Sequence, residues 1–331
     1  MGKTYGKITG WGAYVPDNIV TNHDLATQYE TSHDWIVQRT GIVERRFARA
    51  GETTHQMAVK AGEEALARAG VSGQDLDLII VTTTSPDFMT PPLSSQVQAT
   101  LGAEGIPAFQ LMTGCSGFLY ALTTAYQFIE TGAYGRILVI AAEYLSRYLE
   151  AGDRSTVVLF GDAAGAVVVE ATDQPCGLKA FDLGSDGANG HNLVISMGES
   201  HELKTVWPHN GTRYQVYMNG REVFKFASRV VGRSCRTVLE AAGMTLDDID
   251  WILPHQANLR IIQAAAREMN VPLDRFLVNI DRYANTAAAS VPLLLVEYLD
   301  KGVIQPTDTI LMVAFGAGLT WGSAILQLQP A

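Results

Sequence analysis

The chain has 331 residues, 34 acidic against 24 basic side chains for a formal charge of −10, and is 47% apolar and 18% charged. That balance describes a globule with ample core. It excludes a general nucleic-acid surface, which needs clustered Lys and Arg. Cys115, Cys176 and Cys235 are too few and too scattered for a disulfide framework, and no CxxC pair or clustered His/Cys spacing points to a metal.

In chain order, MGKTYGKITGWGAYVP alternates as a strand does and lacks the apolar run of a signal peptide. No stretch approaches the roughly 20 apolar residues that span a bilayer, so a cytoplasmic chain without a membrane partner is expected. LDLIIVTTT (76–84) predicts a buried strand, SSQVQATLG (94–102) a helix closed by Gly102, RILVIAAE (136–143) a second strand, and TVVLFGDAAGAVVVE (156–170) further strand material. The order then recurs. DIDWILPH (248–255) resembles the first strand, LRIIQAAAREMN (259–270) the helix after it, and TILMVAFG (309–316) the second strand.

Each half carries a small-residue segment between its paired strands, TGCSG around Cys115 and ANTAAAS around Asn285. Cys115 lies 22 residues before Ile137 and Asn285 lies 25 before Ile310. The repetition predicts a layered α/β protein of two similar halves, 1–173 and 174–331, about a pseudo-twofold axis, with Cys115 and Asn285 in equivalent positions.

LMTGCSGF (111–118) runs straight into the helix-compatible FLYALTTAYQFIETGAYG. A lone cysteine is most often an inert buried hydrophobe. At a helix N-terminus, however, unpaired N–H groups and the positive end of the dipole favour thiolate, and Gly114 and Gly117 leave room for a ligand. His255, in PHQANLR, follows a buried strand where a loop begins, at the carboxyl end of a sheet where α/β proteins place ligands. An acidic partner of this acidic chain needs a local basic patch. Arg39, Arg45 and Arg46 in one segment, and Lys225, Arg260 and Arg267 in others, are the candidates.

GCSGF, PHQANLR, ANTAAAS and FGAGLTWGSA, in this order and spacing, resemble the initiating (type III) β-ketoacyl-acyl-carrier-protein synthases of the thiolase superfamily. The resemblance runs nearly end to end. A plain thiolase would carry a second catalytic cysteine in the C-terminal half, and neither Cys176 nor Cys235 lies in such a motif.

The resemblance implies a thiolase-like αβαβα fold and decarboxylative condensation of an acyl-CoA primer with malonyl-acyl-carrier protein, without a resident cofactor. It implies Cys115 as the acylated nucleophile, His255 and Asn285 as the pair serving malonyl decarboxylation, and the N–H groups of Cys115 and Ala317 as an oxyanion hole. Phe315 would favour loss of the carboxylate. Trp35, Arg39, Arg154 and Asn258 would hold coenzyme A, Lys225 and Arg260 the carrier protein, and Thr90 would gate the acyl pocket.

The family pairs its N-terminal halves through an edge strand, so a homodimer is expected, with RILVIAAE as the strand that continues the sheet. Ala284 and Ala317 stand where the family often has glycine, and Leu319 replaces a common aromatic. Condensing or acyl-transfer enzymes of secondary metabolism share the triad and form the alternative class. A non-catalytic acyl-binding protein would be expected to lose one of the three, and all three are present.

Overall fold

A computed structural model describes residues 3–149, 152–195 and 215–328. The first sheet is built from β1 (Tyr5–Tyr14), β4 (Leu78–Thr82), β5 (Ala108–Leu111), β6 (Arg136–Glu143) and β7 (Ala163–Thr172), in the order β1-β7-β6-β4-β5. The second comes from β8 (Gly177–Ser185), β11 (Trp251–Pro254), β12 (Thr309–Gly316) and β13 (Thr320–Gln327), in the order β11-β12-β13-β8. Two short antiparallel pairs lie outside them, β2 (Ile19–Thr21) with β3 (Glu44–Arg46) and β9 (Leu193–Ile195) with β10 (Val216–Met218).

The two sheets repeat one topology. β4 runs parallel to β6 and β6 antiparallel to β7, as β11 does to β12 and β12 to β13; β1 and β8 close the pattern in antiparallel fashion. Leu78 pairs with Ile137 and Trp251 with Ile310, which fixes the register between halves.

The helices are α1 (Asn22–Ala26), α2 (His33–Thr40), α3 (Thr54–Ala69), α4 (Leu93–Thr100), α5 (Gly117–Glu130), α6 (Arg154–Val157), α7 (Gly220–Ala242), α8 (Leu259–Met269), α9 (Ile280–Tyr283) and α10 (Ser290–Asp300). α3 covers the outer face of the first sheet and α7, flanked by α8, that of the second. Between the sheets lie α5 and α10, giving five layers. Phe118, Leu122 and Tyr126 of α5 and Leu294 of α10 are buried on this central layer. A helix buried on every side must be apolar all round, and GFLYALTTAYQFIE is nearly so.

Local chemistry sets the element ends. Thr53 and Gln56 form a capping box that starts α3, and Gly70, at φ 70°, ends it. Asn258 caps α8 and Asn270, at φ 54°, terminates it. Gly102 follows α4 at φ 68°.

Three expectations change. RILVIAAE is no edge: β6 lies in the middle of its sheet, every residue but Arg136 buried, and the edge beyond β4 is the four-residue β5. A strand buried on both faces has no alternation, and that was the signal in its sequence. Residues 156–170 are not all strand, because Arg154–Val157 is helical and β7 begins only at Ala163.

The third concerns Cys115 and Asn285. Cys115 sits in a 3-10 turn, Gly114–Ser116, entered at φ 59° by Gly114; Ala287–Ala289 is the matching turn, entered at φ 45° by Ala287. Cys115 therefore corresponds to Ala288. Ala288 lies 22 residues before Ile310, the same interval as Cys115 to Ile137. Asn285 precedes that turn, three residues away from the expected register.

Candidate active site

The turn holding Cys115 is packed backbone to backbone against the end of β12. A Cβ on Gly316 would lie 2.5 Å from the Cys115 nitrogen, and one on Gly114 would lie 2.7 Å from the Ala317 oxygen. Only glycine allows that approach. Ser116 Oγ donates to Thr113 O and Thr320 Oγ1, both at 2.8 Å, and Thr320 Oγ1 lies 2.9 Å from Thr113 O and from Ala317 O. These contacts tie the two loops together.

The backbone N–H groups of Ala317 and of Cys115 itself face the Cys115 sulfur and favour its ionised form. Two converging backbone donors are what an oxyanion hole requires. Ala317 is not among the residues at positive φ, so alanine keeps its donor there without strain. Ala284 differs: at φ 57°, ψ −154° it occupies a region that favours glycine.

The helix-terminal thiolate expected for Cys115 is not its resting state. Cys115 is 8% exposed, and burial pushes its thiol up to about 12; the nearby Glu143 acts in the same direction and the two N–H groups only partly oppose it. Glu143, the last residue of β6, is itself fully buried, and burial raises its carboxyl to about 7 although Thr84, Ser85 and the Ala288 N–H all donate to it.

His255 follows β11 and is not on an open loop: it is 2% exposed. Burial lowers its pKa to about 3, which keeps the ring neutral. Nδ1 lies 2.6 Å from Ser290 Oγ, Nε2 is buried with no partner among the described residues, and the Phe315 ring stands edge-on at 5.4 Å between centroids. Gln256, next in the PHQANLR motif, is structural. Its Nε2 donates to Pro254 O, and its Oε1 accepts from Asn279 N and Ile280 N, tying the strand end to α9.

Asn285 is 7% exposed, and its Oδ1 accepts from Ala287 N at 2.9 Å. That bond orients the amide and leaves Nδ2 as the donor.

Cys115, His255, Asn285, Phe315 and Gly316 line one cavity of about 310 Å³, whose wall also includes Trp35, Arg39 and Asn258. The Arg154 and Arg39 guanidiniums lie 4.9 and 6.0 Å from the Trp35 ring. Arg154 contributes through that contact and is not part of the wall. The Asn258 amide is already engaged, its Oδ1 capping Arg260 N and its Nδ2 donating to Arg39 O. Lys225 and Arg260 are exposed on α7 and α8, and Lys225 pairs with Glu222 at 2.7 Å.

A second cavity, about 680 Å³, lies beyond the Cys115 loop and is lined by Gly114, Ala317, Gly318, Met89, Met112 and Tyr148 among others. Thr90, expected as its gate, is exposed and lines neither cavity. The segment from Pro86 to Pro92 runs out to the β5 edge, with Phe88 58% and Met89 76% exposed, and within this chain Met89 takes the wall position.

Glu143, Ser290 and Gln256 were not anticipated. Gln256 had a signal, being inside the motif that carries His255; Glu143 and Ser290 reach the site only through strand order and helix packing.

A turn bearing a buried thiol, a neutral imidazole, an oriented amide and two backbone donors around a partly apolar cavity define, on a thiolase-like fold, an acyl-transferring condensing site. Comparison with known proteins agrees. Residues 109–187 match the family model for 3-oxoacyl-[acyl-carrier-protein] synthase III and residues 239–328 match the model for its C-terminal part. The chain is 45% identical over 323 residues to beta-ketoacyl-[acyl-carrier-protein] synthase III 1 of Bacillus cereus, covering 97% of this chain and 98% of that one. It superposes on the crystal structure of 3-oxoacyl-[acyl-carrier-protein] synthase III from Aquifex aeolicus with a TM-score of 0.91 at 43% identity, over 97% of this chain and 99% of the other. A priming β-ketosynthase from the R1128 polyketide pathway gives the same TM-score at 35% identity, over 100% and 98%. The chain belongs to the β-ketoacyl-[acyl-carrier-protein] synthase III family.

Proposed function

We propose that the enzyme starts fatty-acid synthesis by condensing an acyl-CoA primer with malonyl-acyl-carrier protein through an acyl-Cys115 intermediate. The observation that carries this reading is the convergence of Cys115, His255 and Asn285 on one cavity whose wall also holds Trp35 and Arg39. The 45% identity to a relative bearing that name favours fatty-acid initiation over polyketide priming, where the likeness falls to 35%.

In the first half-reaction the Cys115 sulfur attacks the primer carbonyl, its proton leaves with the coenzyme A sulfur, and the N–H groups of Cys115 and Ala317 hold the oxyanion. In the second, the malonyl carbon–carboxylate bond breaks, CO₂ departs, and the electron pair becomes an enolate whose oxygen accepts hydrogen bonds from His255 Nε2 and Asn285 Nδ2. The enolate carbon attacks the acyl-cysteine and the Cys115 thiolate leaves. Phe315 keeps the departing carboxylate in apolar surroundings, where loss of charge is favoured. The chemistry closes on protein groups and calls for no resident cofactor.

Trp35 offers an aromatic face, and Arg39 and Arg154 offer charge, to the nucleotide end of coenzyme A. Arg221, Lys225 and Arg229 recur every four residues along α7 and so share one face, which with Arg260 suits an acidic carrier. The second cavity receives the acyl chain. Three free thiols, one of them the proposed nucleophile, suit the reducing cytoplasm. Pairing is proposed at the β5 edge, where Phe88, Met89 and Met112 (57% exposed) stand out as apolar surface.

Intact-mass spectrometry after mixing with acetyl-, octanoyl- and malonyl-coenzyme A tests the reading. An acyl adduct on Cys115, discharged by malonyl-acyl-carrier protein as a β-keto product, is expected. An enzyme that never becomes acylated would overturn it.

A further inference from the structure

His255 can serve an enolate oxygen only if Nε2 carries the proton, and a neutral imidazole has two tautomers. The partners of Ser290 decide between them. Ser290 is the first residue of α10, is 1% exposed, and its Oγ lies 2.6 Å from His255 Nδ1. The same oxygen accepts the Gln256 backbone N–H at 3.4 Å. With one donor already on that oxygen, the hydroxyl hydrogen has Nδ1 as its acceptor. If Nδ1 were the donor instead, Ser290 would hold two incoming N–H groups and a buried O–H aimed at nothing, a costly arrangement.

The opposite face of the ring agrees. Nε2 is buried with no partner among the described residues, and His255 lines the cavity. The pseudo-symmetric pair in the first half is Gly117 with Thr82, where a Cβ on Gly117 would come within 2.1 Å of Thr82 Oγ1. One junction between a central helix and a strand end is thus a bare steric contact in one half and a serine–histidine hydrogen bond in the other.

We infer that Ser290 is the positioning residue of the decarboxylation step: by donating to Nδ1 it holds His255 in the Nε2–H tautomer, aimed at the enolate oxygen and unable to act as a base toward Cys115. The inference rests on the proposed function for its consequence in turnover, and on the hydrogen-bond pattern alone for the tautomer. It separates the half-reactions, since removing the serine hydroxyl harms malonyl decarboxylation and spares acylation of Cys115.

The test combines ¹⁵N-histidine NMR of the intact enzyme with kinetics of Ser290→Ala and Ser290→Thr. In the wild type, the expected spectrum shows His255 with a protonated Nε2 and an unprotonated, hydrogen-bonded Nδ1. Ser290→Ala should lose the hydrogen-bonded Nδ1 signature and decarboxylate malonyl thioester about 30-fold more slowly, while acylating Cys115 within about twofold of wild type. Ser290→Thr, keeping the hydroxyl, should recover most of the decarboxylation rate. A wild-type spectrum with the proton on Nδ1 overturns the inference whatever the kinetics, as does a folded Ser290→Ala variant with unimpaired decarboxylation. If His255→Ala itself left decarboxylation intact, the proposed function would fail while the tautomer reading stood on its spectrum.

Discussion

One turn is built twice in this chain, and the two copies differ in what fills the space beside it. Gly114-Cys115-Ser116 and Ala287-Ala288-Ala289 have the same 3-10 form, the same positive-φ entry and the same central helix following. In the second copy the strand-end residue of the opposite half is Glu143, a buried carboxyl that accepts from Thr84 and Ser85 and is favoured in its charged form by the nearby Ala288 N–H. In the first, the corresponding strand-end residue is Gly316, which has no side chain, and the space beside Cys115 is the cavity. The two equivalent turns thus differ at the partner strand end, with glycine beside the one that lines the cavity and a buried glutamate near the other.

The most drastic way to break this asymmetry is to move the nucleophile. Cys115→Ala should abolish acyl-enzyme formation, lowering condensation by more than about 10³-fold. Adding Ala288→Cys should restore nothing, because Glu143 occupies the space a thioester would need; mass spectrometry of the double variant reads both outcomes. Next in size are the groups that serve only the open site. His255→Ala and Asn285→Ala should each still acylate Cys115 and lose about 10²–10³-fold in malonyl decarboxylation, followed as CO₂ release.

The pH behaviour of the thiols sharpens the contrast between open and closed burial. Burial holds both Cys115 and Cys235 up to about 12, but only Cys115 borders a cavity. A thiol that far above neutrality gains thiolate about tenfold per pH unit. Iodoacetamide labelling of Cys115 should therefore climb through pH 6–9 with no plateau, and Cys235 should stay unlabelled in the folded protein. A plateau near pH 7 would mean that the helix terminus outweighs burial. The smallest effects come from the entry residues themselves. Gly114→Ala forces a methyl to 2.7 Å from the Ala317 oxygen and should cost about 2 kcal/mol, whereas Ala287→Gly relieves a strained alanine and should stabilise by up to about 1 kcal/mol, both measured by denaturant unfolding.

The three residues that meet at the cavity were legible in sequence because the proposed chemistry forces residue type and their motifs are short: Cys115 between glycines, His255 inside PHQANLR, Asn285 before a run of small residues. The strands of both sheets and their repetition were legible from apolar patterning. What sequence does not carry is adjacency. Ser290 meets His255 across 35 residues, and Glu143 meets Thr84 across 59, because of strand order that local periodicity leaves open. The same gap put β6 at an edge, although its unbroken apolar run is that of a strand covered on both faces. Spacing alone matched Cys115 with Asn285, since the true counterpart, Ala288, has no chemistry to draw the eye. Thr90 lines neither cavity within this chain, and loop positions have no periodicity to anchor a match.

The repetition is also imperfect at the border of the sheets. Beyond β4 the first sheet gains β5, while at the matching place beyond β11 the second has, among the described residues, only a single bridge, Ile252 to Phe276. A molecule made of two like halves would by default expose two like borders, each able to recruit another copy, and copies joined at both would propagate as a chain without end. Reducing one border to a single bridge leaves this class of contact with a valence of one. The proposed pairing through β5 would then terminate at two copies, and a second border without such a strand would spare the enzyme polymerisation.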